Sequence, residues 1–291
     1  MTEYLTTREL AELLRIKERK VYDLAASGKV PCSRATGRLL FPRAEIEAWI
    51  ERQRTGTAQN APAASRPNVI LGSHDPLLEW AIRQSQCGLA MYFDGSTDGL
   101  QRFAAGEGIA AGLHLMDSDS QTWNILQTEA SCSDTDAVLI GWATRQRGLV
   151  CRAEDAESIK ETGDVRGKIV AARQAGSGAQ VLISALLDTA ELEEGAVRFT
   201  EPMHSEMDAV LAVAEGSADV AFGLGAVAKQ YRLSFTPLTE ERFDIAVSRR
   251  AYFGKPFQKL LEFCKSDAFI DRAAALSGYD ISRLNTVIWN A

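Results

Sequence analysis

The sequence predicts an α/β protein with a winged helix-turn-helix head at its N-terminus. Three observations lead there. Over residues 68–99 the chain reads strand, loop, helix, strand, loop, helix: Val69-Ile70-Leu71 and the run 88–93 are apolar, and each is followed by a Gly- and Ser-bearing loop and then by apolar residues at helical spacing. Residues 4–53 instead carry short helical patterns joined by a tight turn. Between these regions, TGTAQNAPAASRP has no apolar period and reads as a flexible linker over 55–67. A chain of 291 residues is long for one domain. This reading divides it into a head at 1–54, the linker, and a body at 68–291.

In the head, Thr6 and Glu9 have capping-box spacing and open a helix whose apolar face is Leu10, Leu13 and Leu14. After a break at Arg15-Ile16, residues 17–26 repeat the spacing with Val21, Leu24 and Ala25, and Ser27-Gly28 ends that helix. The second helix would present Lys17, Arg19, Lys20 and Tyr22 where a recognition helix meets phosphates and base edges. Residues 30–34 and 38–42 flank Ala35-Thr36-Gly37 as a hairpin suited to a wing, with Arg34 and Arg38 on its arms. A third helix over 43–52 turns Ile46, Trp49 and Ile50 to one side. The alternative for the head is a structural three-helix cap whose basic residues are only solvated.

In the body, Gly72-Ser73-His74-Asp75-Pro76 and Asp94-Gly95-Ser96-Thr97 sit where a strand ends and a helix begins. Helix N-termini carry unpaired N–H groups and partial positive charge, so such loops suit an anion without Lys or Arg. Two of them side by side at the carboxyl edge of a parallel sheet would form a pocket. Residues 108–116 read as a third strand, 123–128 as ambiguous, and 137–143 and 148–151 as two β runs separated by Arg145-Gln146-Arg147. The strand 168–172 leads into a third loop of this type, Arg173 to Gln180, and a helix over 181–187. A short strand at 197–199 follows. His204-Ser205-Glu206 opens a helix over 207–215, and strands follow at 220–223 and 243–248. Residues 256–277 read as mostly helix, with Phe257, Leu260, Leu261 and Phe263 toward the core.

The net charge of −7 is unevenly placed. Residues 1–57 hold 11 Lys/Arg against 8 Asp/Glu, leaving 21 against 31 in the rest. A mildly basic head on an acidic body permits contact with a polyanion through the head. Cys32, Cys87, Cys132, Cys151 and Cys264 form no C-x-x-C pair and read as reduced thiols. There is no basic-then-apolar leader, and no apolar run nears the ~18–20 residues that span a bilayer. A cytoplasmic protein without membrane contact is expected. No H-E-x-x-H, C-x-x-C or Walker pattern is present, and Ser73 beside His74 is not a triad. No catalysis, metal or cofactor is expected.

The head, TTRELAELLRI…KVYDLAASGKVP…TGRLLFPRAEIEAWI, resembles the excisionase-like, MerR-related winged helix-turn-helix domains, which implies binding to double-stranded DNA. The body resembles the type II periplasmic-binding-protein superfamily, closest to the cytoplasmic PBP-like domains related to molybdate-binding proteins. LGSHDPLLEW, YFDGSTDGLQRFAAGE, AAGLHLMD, ARQAGSGAQVLISALL, HSEMDAVLAVAEGSADVAFGLGAVA and FTPLTEERFDIAV carry this resemblance, in the family's order. It implies two α/β lobes, 68–147 with 249–291 and 148–245, joined by strands crossing near 148–152 and 243–248. It also implies a ligand in the cleft, held by Ser73, His74, Ser96, Ser177, Gly178, Ala179, His204 and Ser205. The family's third loop commonly reads Gly-Ser-Gly-Thr-Arg; here Ala179 and Gln180 replace the Thr hydroxyl and the Arg charge. Arg173, before that loop, has two readings: an anion contact or a carboxylate partner across the hinge. His74 is a ligand contact or a capping partner of Asp75. His114, Tyr92 and Trp142 read as core, and Asp75 and Asp94 as structural.

Together these features lead to a ligand-responsive transcriptional regulator. It would act as a homodimer, with an effector such as molybdate or tungstate shifting the spacing of the two heads. The alternatives keep the architecture and change the effector to a small organic acid, a nucleotide or a molybdenum-cofactor-related metabolite.

Overall fold

The computed structural model describes residues 4–33, 37–52, 66–117, 120, 122–175, 177–193 and 195–291, and the chain forms two compact units, 1–65 and 66–291. In the first unit, β1 (Tyr4–Leu5) leads into α1 (Thr7–Leu14), which the expected capping box starts: Glu9 N–H donates to Thr6 Oγ1, and Thr6 N–H to Glu9 Oε2 at 2.7 Å. Arg15, left-handed at φ 52°, ends it, and α2 (Glu18–Ala26) follows. Among the described residues of the wing, Ser33 and Leu40 form an antiparallel bridge. Its distal arm, β2 (Phe41–Pro42), pairs back onto β1 instead. The wing tip, Arg34 included, lies outside the described residues, as does the part of the expected linker up to residue 65. α3 (Arg43–Arg52) closes the unit over a core of Leu10, Val21, Ala25, Phe41 and Ile46. Lys17, Arg19, Lys20, Tyr22 and Arg38 are all exposed.

The second unit begins as the loop pattern predicts: β3 (Val69–Gly72), α4 (Pro76–Ser85), β4 (Ala90–Met91), α5 (Ser96–Ala104) and β5 (Ala110–Leu113). Gly72 and Gly99 let α5 lie against β3, since a Cβ on Gly99 would stand 2.1 Å from the Gly72 Cα. α6 (Ile125–Cys132) resolves the ambiguous stretch as helix; no side chain caps it, and left-handed Asn124 starts it. The two β runs around Arg145 are one strand, β6 (Ala137–Cys151). β7 (Ile169–Ala171), α7 (Gly178–Thr189), β8 (Arg198–Phe199), α8 (Glu206–Ala214), β9 (Val220–Leu224) and α9 (Gly225–Gln230) follow. β10 (Ser234–Ser248) extends the strand read at 243–248 to 15 residues, because charged Glu240-Glu241-Arg242 lies inside it. α10 (Arg249–Tyr252), α11 (Lys255–Phe263), α12 (Asp267–Ala275), β11 (Tyr279–Asp280) and β12 (Val287–Asn290) complete the chain.

One sheet runs β4-β3-β5-β10-β6-β9-β7-β8, with β11 and β12 on β6. Its parallel ends, β4-β3-β5 and β9-β7-β8, each carry helices and separate cores, giving two lobes. Ile70, Leu78, Ile140, Trp142 and Phe257 fill one; Val150, Val210, Ala221 and Leu224 fill the other. β6 and β10 pair antiparallel from Ser248–Ala137 to Ser234–Cys151 and carry the chain between lobes. Residues 147–151 pair with β9, and 244–247 pair with β5.

Candidate functional site

Loop chemistry at the strand ends places the first groups. Asp75 caps α4, accepting from Leu78 N–H at 2.7 Å, and Pro76 takes the first helical position, where its missing donor costs nothing. Ser73 Oγ and Ser96 Oγ lie 2.8 Å apart, both buried, and His114 N–H donates to Ser96 Oγ at 3.0 Å. From the other lobe Gly178, first residue of α7, meets His114 directly: a Cβ there would stand 2.4 Å from the His114 carbonyl oxygen. Ser177 caps α7, its Oγ accepting from Gln180 N–H. The strand-end loops of both lobes thus converge on His114.

Behind them lies a buried chain of charge that the sequence reading did not anticipate. Asp75 accepts from Arg145 Nη1 (2.9 Å), Trp142 Nε1 (2.9 Å) and the Tyr279 hydroxyl (2.7 Å). Arg145 Nη2 also donates to Glu241 Oε1. Arg147 Nη2 donates to Glu241 Oε1 at 2.9 Å and to Glu206 Oε2 at 3.0 Å. Glu206 Oε1 in turn accepts from Leu224 N–H. Arg145, Arg147, Asp75 and Glu241 are at most 1% exposed. Burial pushes the Glu241 carboxyl up, but the guanidiniums of Arg145 and then Arg147 outweigh it and hold it well below its ordinary value. Glu206 is lowered in the same way against its burial. Burial pulls His114 below its ordinary value despite Glu241, so its neutral ring offers Nδ1–H to Glu241 Oε2 at 3.1 Å. The chain runs Asp75–Arg145–Glu241–Arg147–Glu206, from lobe one through both crossing strands to lobe two.

Two cavities lie beside this chain, each lined from both lobes. The first, about 280 Å³, is lined by Asp94, Gly95, Thr97 and Asp98 at the start of α5 and by Arg173, Gln174 and Ser177 before α7. The second, about 260 Å³, is lined by α4, α8, α9 and α12. Arg173 donates from Nε to Met203 O and from Nη2 to His204 O, and no carboxylate among the described residues pairs with it; burial lowers its pKa.

The profile of the PBP superfamily domain matches residues 79–265, and that of a helix-turn-helix domain matches residues 4–54. The chain belongs to the PBP superfamily. It is 23% identical over 307 residues to YvgK, an uncharacterized protein of Bacillus subtilis (strain 168), covering 99% of this chain and 98% of that one. A substrate-binding protein with bound phosphate from Clostridium perfringens superposes with TM-score 0.51 at 11% identity, covering 75% of this chain and 98% of that one. The regulatory domain of MetR, a LysR family regulator from N. meningitidis, gives 0.49 at 10% identity, over 73% and 97%. At 11% identity the likeness to the Clostridium perfringens protein is one of fold alone.

Within the PBP domain, the residues singled out from sequence separate into groups. Ser73, Ser96 and Gly178 meet around His114. Arg173 and Ser177 line the first cavity. His204 and Ser205 stand beside it: His204 Nδ1 lies 2.7 Å from Gln174 Nε2, and Ser205 caps α8 in a capping box with Asp208. The Ala179 side chain points into the lobe-two core. His74 is apart from these, lining the second cavity with its Nε2 2.7 Å from Glu79 Oε2 rather than capping Asp75. Trp142 is core, as read; Tyr92 is instead 47% exposed with the Arg102 guanidinium over its ring. His114, read as core, is buried but sits at the meeting point of the lobes. The signal that could have exposed the ion chain is the alternation Arg145-x-Arg147 between apolar runs. Period two puts both guanidiniums on one face of a buried strand, where each needs a carboxylate.

Proposed function

We propose that this protein is a DNA-binding transcriptional regulator whose PBP domain takes a small oxyanion, such as molybdate or tungstate, in the first cavity. Arg173 carries the reading. It is a guanidinium anchored by two carbonyls, with Glu206 and Asp208 acting on it only from beyond ion-pair distance, on a cavity that the N-termini of α5 and α7 also border. The buried chain offers no surplus cation, since three carboxylates there face two guanidiniums. A thermal-shift panel of molybdate, tungstate, sulfate, phosphate and small carboxylates tests it. At about 100 times Kd the true effector should raise Tm by roughly 5–10 °C, and Arg173→Gln should abolish the shift. A panel without any shift rejects the reading. A second reading, a small organic acid, is favoured by Asp94 and Asp98, which share the lining with Arg173. They suit a ligand bearing a donor as well as an acid, and the carboxylates in the panel separate the two.

On this reading the protein is cytoplasmic and dimeric, its two heads meeting successive major grooves about 34–36 Å apart. No helix among the described residues is long and apolar enough to cross a membrane. Lys17, the N-cap of α2, and its neighbours Arg19 and Lys20 are exposed without ion-pair partners among the described residues. Lys17→Ala is expected to weaken binding to all DNA sequences alike and to lessen the slope of log K against log salt by about 0.9. A gel-shift titration at several salt concentrations measures both; an unchanged slope would remove Lys17 from the phosphate contacts.

A further inference from the structure

The second cavity has a different character from the first. Trp80 supplies a ring, backed by Phe263 at 5.5 Å between centroids. Met207 and Val227, from lobe two, add apolar surface. Two guanidiniums border it. Arg83 pairs with Glu79 at 2.6 Å, and Glu79 also takes His74, so one carboxylate serves two partners. Arg272 lies over the Trp80 ring at 5.8 Å, its Nε is buried without a hydrogen-bond partner, and no carboxylate among the described residues pairs with it. A buried guanidinium nitrogen without an acceptor is costly unless something completes it. Counting Arg83, Arg272 and Glu79, the lining carries one excess positive charge.

We propose that this cavity is a second effector site, for a small carboxylic acid with an apolar, ring-shaped body. The carboxylate pairs with Arg272, a planar acceptor matched to a planar donor. The ring lies among Trp80, Met207 and Val227, where aromatic and thioether contacts favour it. A volume of about 260 Å³ suits a single ring with one acid group. The site is built from both lobes and abuts the ion chain at two points: Pro76 follows Asp75, and Met207 follows Glu206. An occupant would therefore favour the closed arrangement of the lobes by touching both. The inference does not depend on an oxyanion in the first cavity, because no residue lines both.

Calorimetry on the full chain tests it with benzoate as the probe, acetate as the acid without a body, and benzamide as the body without a charge. Benzoate is expected to bind at least tenfold more tightly than either control. Trp80→Leu and Arg272→Gln should each weaken benzoate at least tenfold, while Arg173→Gln leaves it unchanged. Arg272 is only half-buried, and its replacement keeps the test open if Trp80→Leu fails to fold. Benzoate that does not bind, that binds Arg272→Gln as it binds the parent, or that is lost with Arg173→Gln overturns the proposal. Loss of the oxyanion response in Arg173→Gln with benzoate binding intact would show the two sites to be separate.

Discussion

Replacing Glu241 with Gln is expected to lower the unfolding free energy of the PBP domain by about 1–3 kcal/mol. The side chain is wholly buried and answers Arg145, Arg147 and His114 at once. A buried ion pair adds little over an apolar pair of the same shape, but neutralising Glu241 strips both guanidiniums of their shared acceptor and leaves each with one carboxylate, Asp75 for Arg145 and Glu206 for Arg147. Gln preserves the volume and can still accept one hydrogen bond, so the loss reports charge rather than packing. With Glu241 neutral, Asp75 and Glu206 would stand alone against the two guanidiniums, and neither touches both. The pH dependence has a definite sign. Glu241 has a depressed pKa in the folded state, so its contribution is present above its ordinary value of 4.5 and vanishes only as pH falls well below that. The gap between parent and variant should therefore stay constant from about pH 5 to 8 and close only in strong acid. Urea unfolding at several pH values measures it, and a variant as stable as the parent at pH 7 would remove the ion chain from the energetics of the fold.

The parts of this architecture that were readable in the sequence are those set by local chemistry. The capping box at Thr6 and Glu9, the Pro after Asp75 and the Ser of Ser177 each satisfy a helix end within three residues of themselves. Gly72, Ser73 and Ser96 mark where strands give way to helices, and parallel pairing brings those ends together. Arg145, Arg147 and Glu241 escaped the same reading because their partners are distant. Arg145 reaches Asp75 across 70 residues and Glu241 across 96. Read by hydropathy, Arg145-Gln146-Arg147 and Glu240-Glu241-Arg242 look like loops that interrupt strands. In three dimensions they are the centres of the two longest strands, paired with each other, Arg147 with Thr239 and Arg145 with Glu241. His114 was hidden by its apolar neighbours: its strand is core, and only its position one residue past the end of β5 brings it to the junction.

That junction makes a second substitution informative. Gly178→Ala is expected to speed opening between the lobes by about 5–150-fold, the effect of roughly 1–3 kcal/mol of overpacking. The new methyl would stand 2.4 Å from His114 O and 2.8 Å from both Nδ1 and Cε1 of its ring. Backbone oxygen cannot rotate away, and the ring is held by Glu241 and stacked on Phe243 at 6.1 Å. The two lobes must separate or one of them must deform. Local propensity works the other way, because Gly178 opens α7 without a left-handed φ, and Ala is the better helix former by about 1 kcal/mol. A net loss can therefore be assigned to the contact between lobes and not to the helix. Amide exchange measures it most directly at the His114 N–H, which is bonded to Ser96 Oγ inside the closed junction. An open junction lowers the apparent affinity of any effector that needs both lobes, in proportion to the fraction that remains closed. Gly178→Ala should then weaken ligands of both cavities by the same factor, although it lines neither. Unequal losses, or exchange at His114 as slow as in the parent, would mean that the lobes do not open as one hinge.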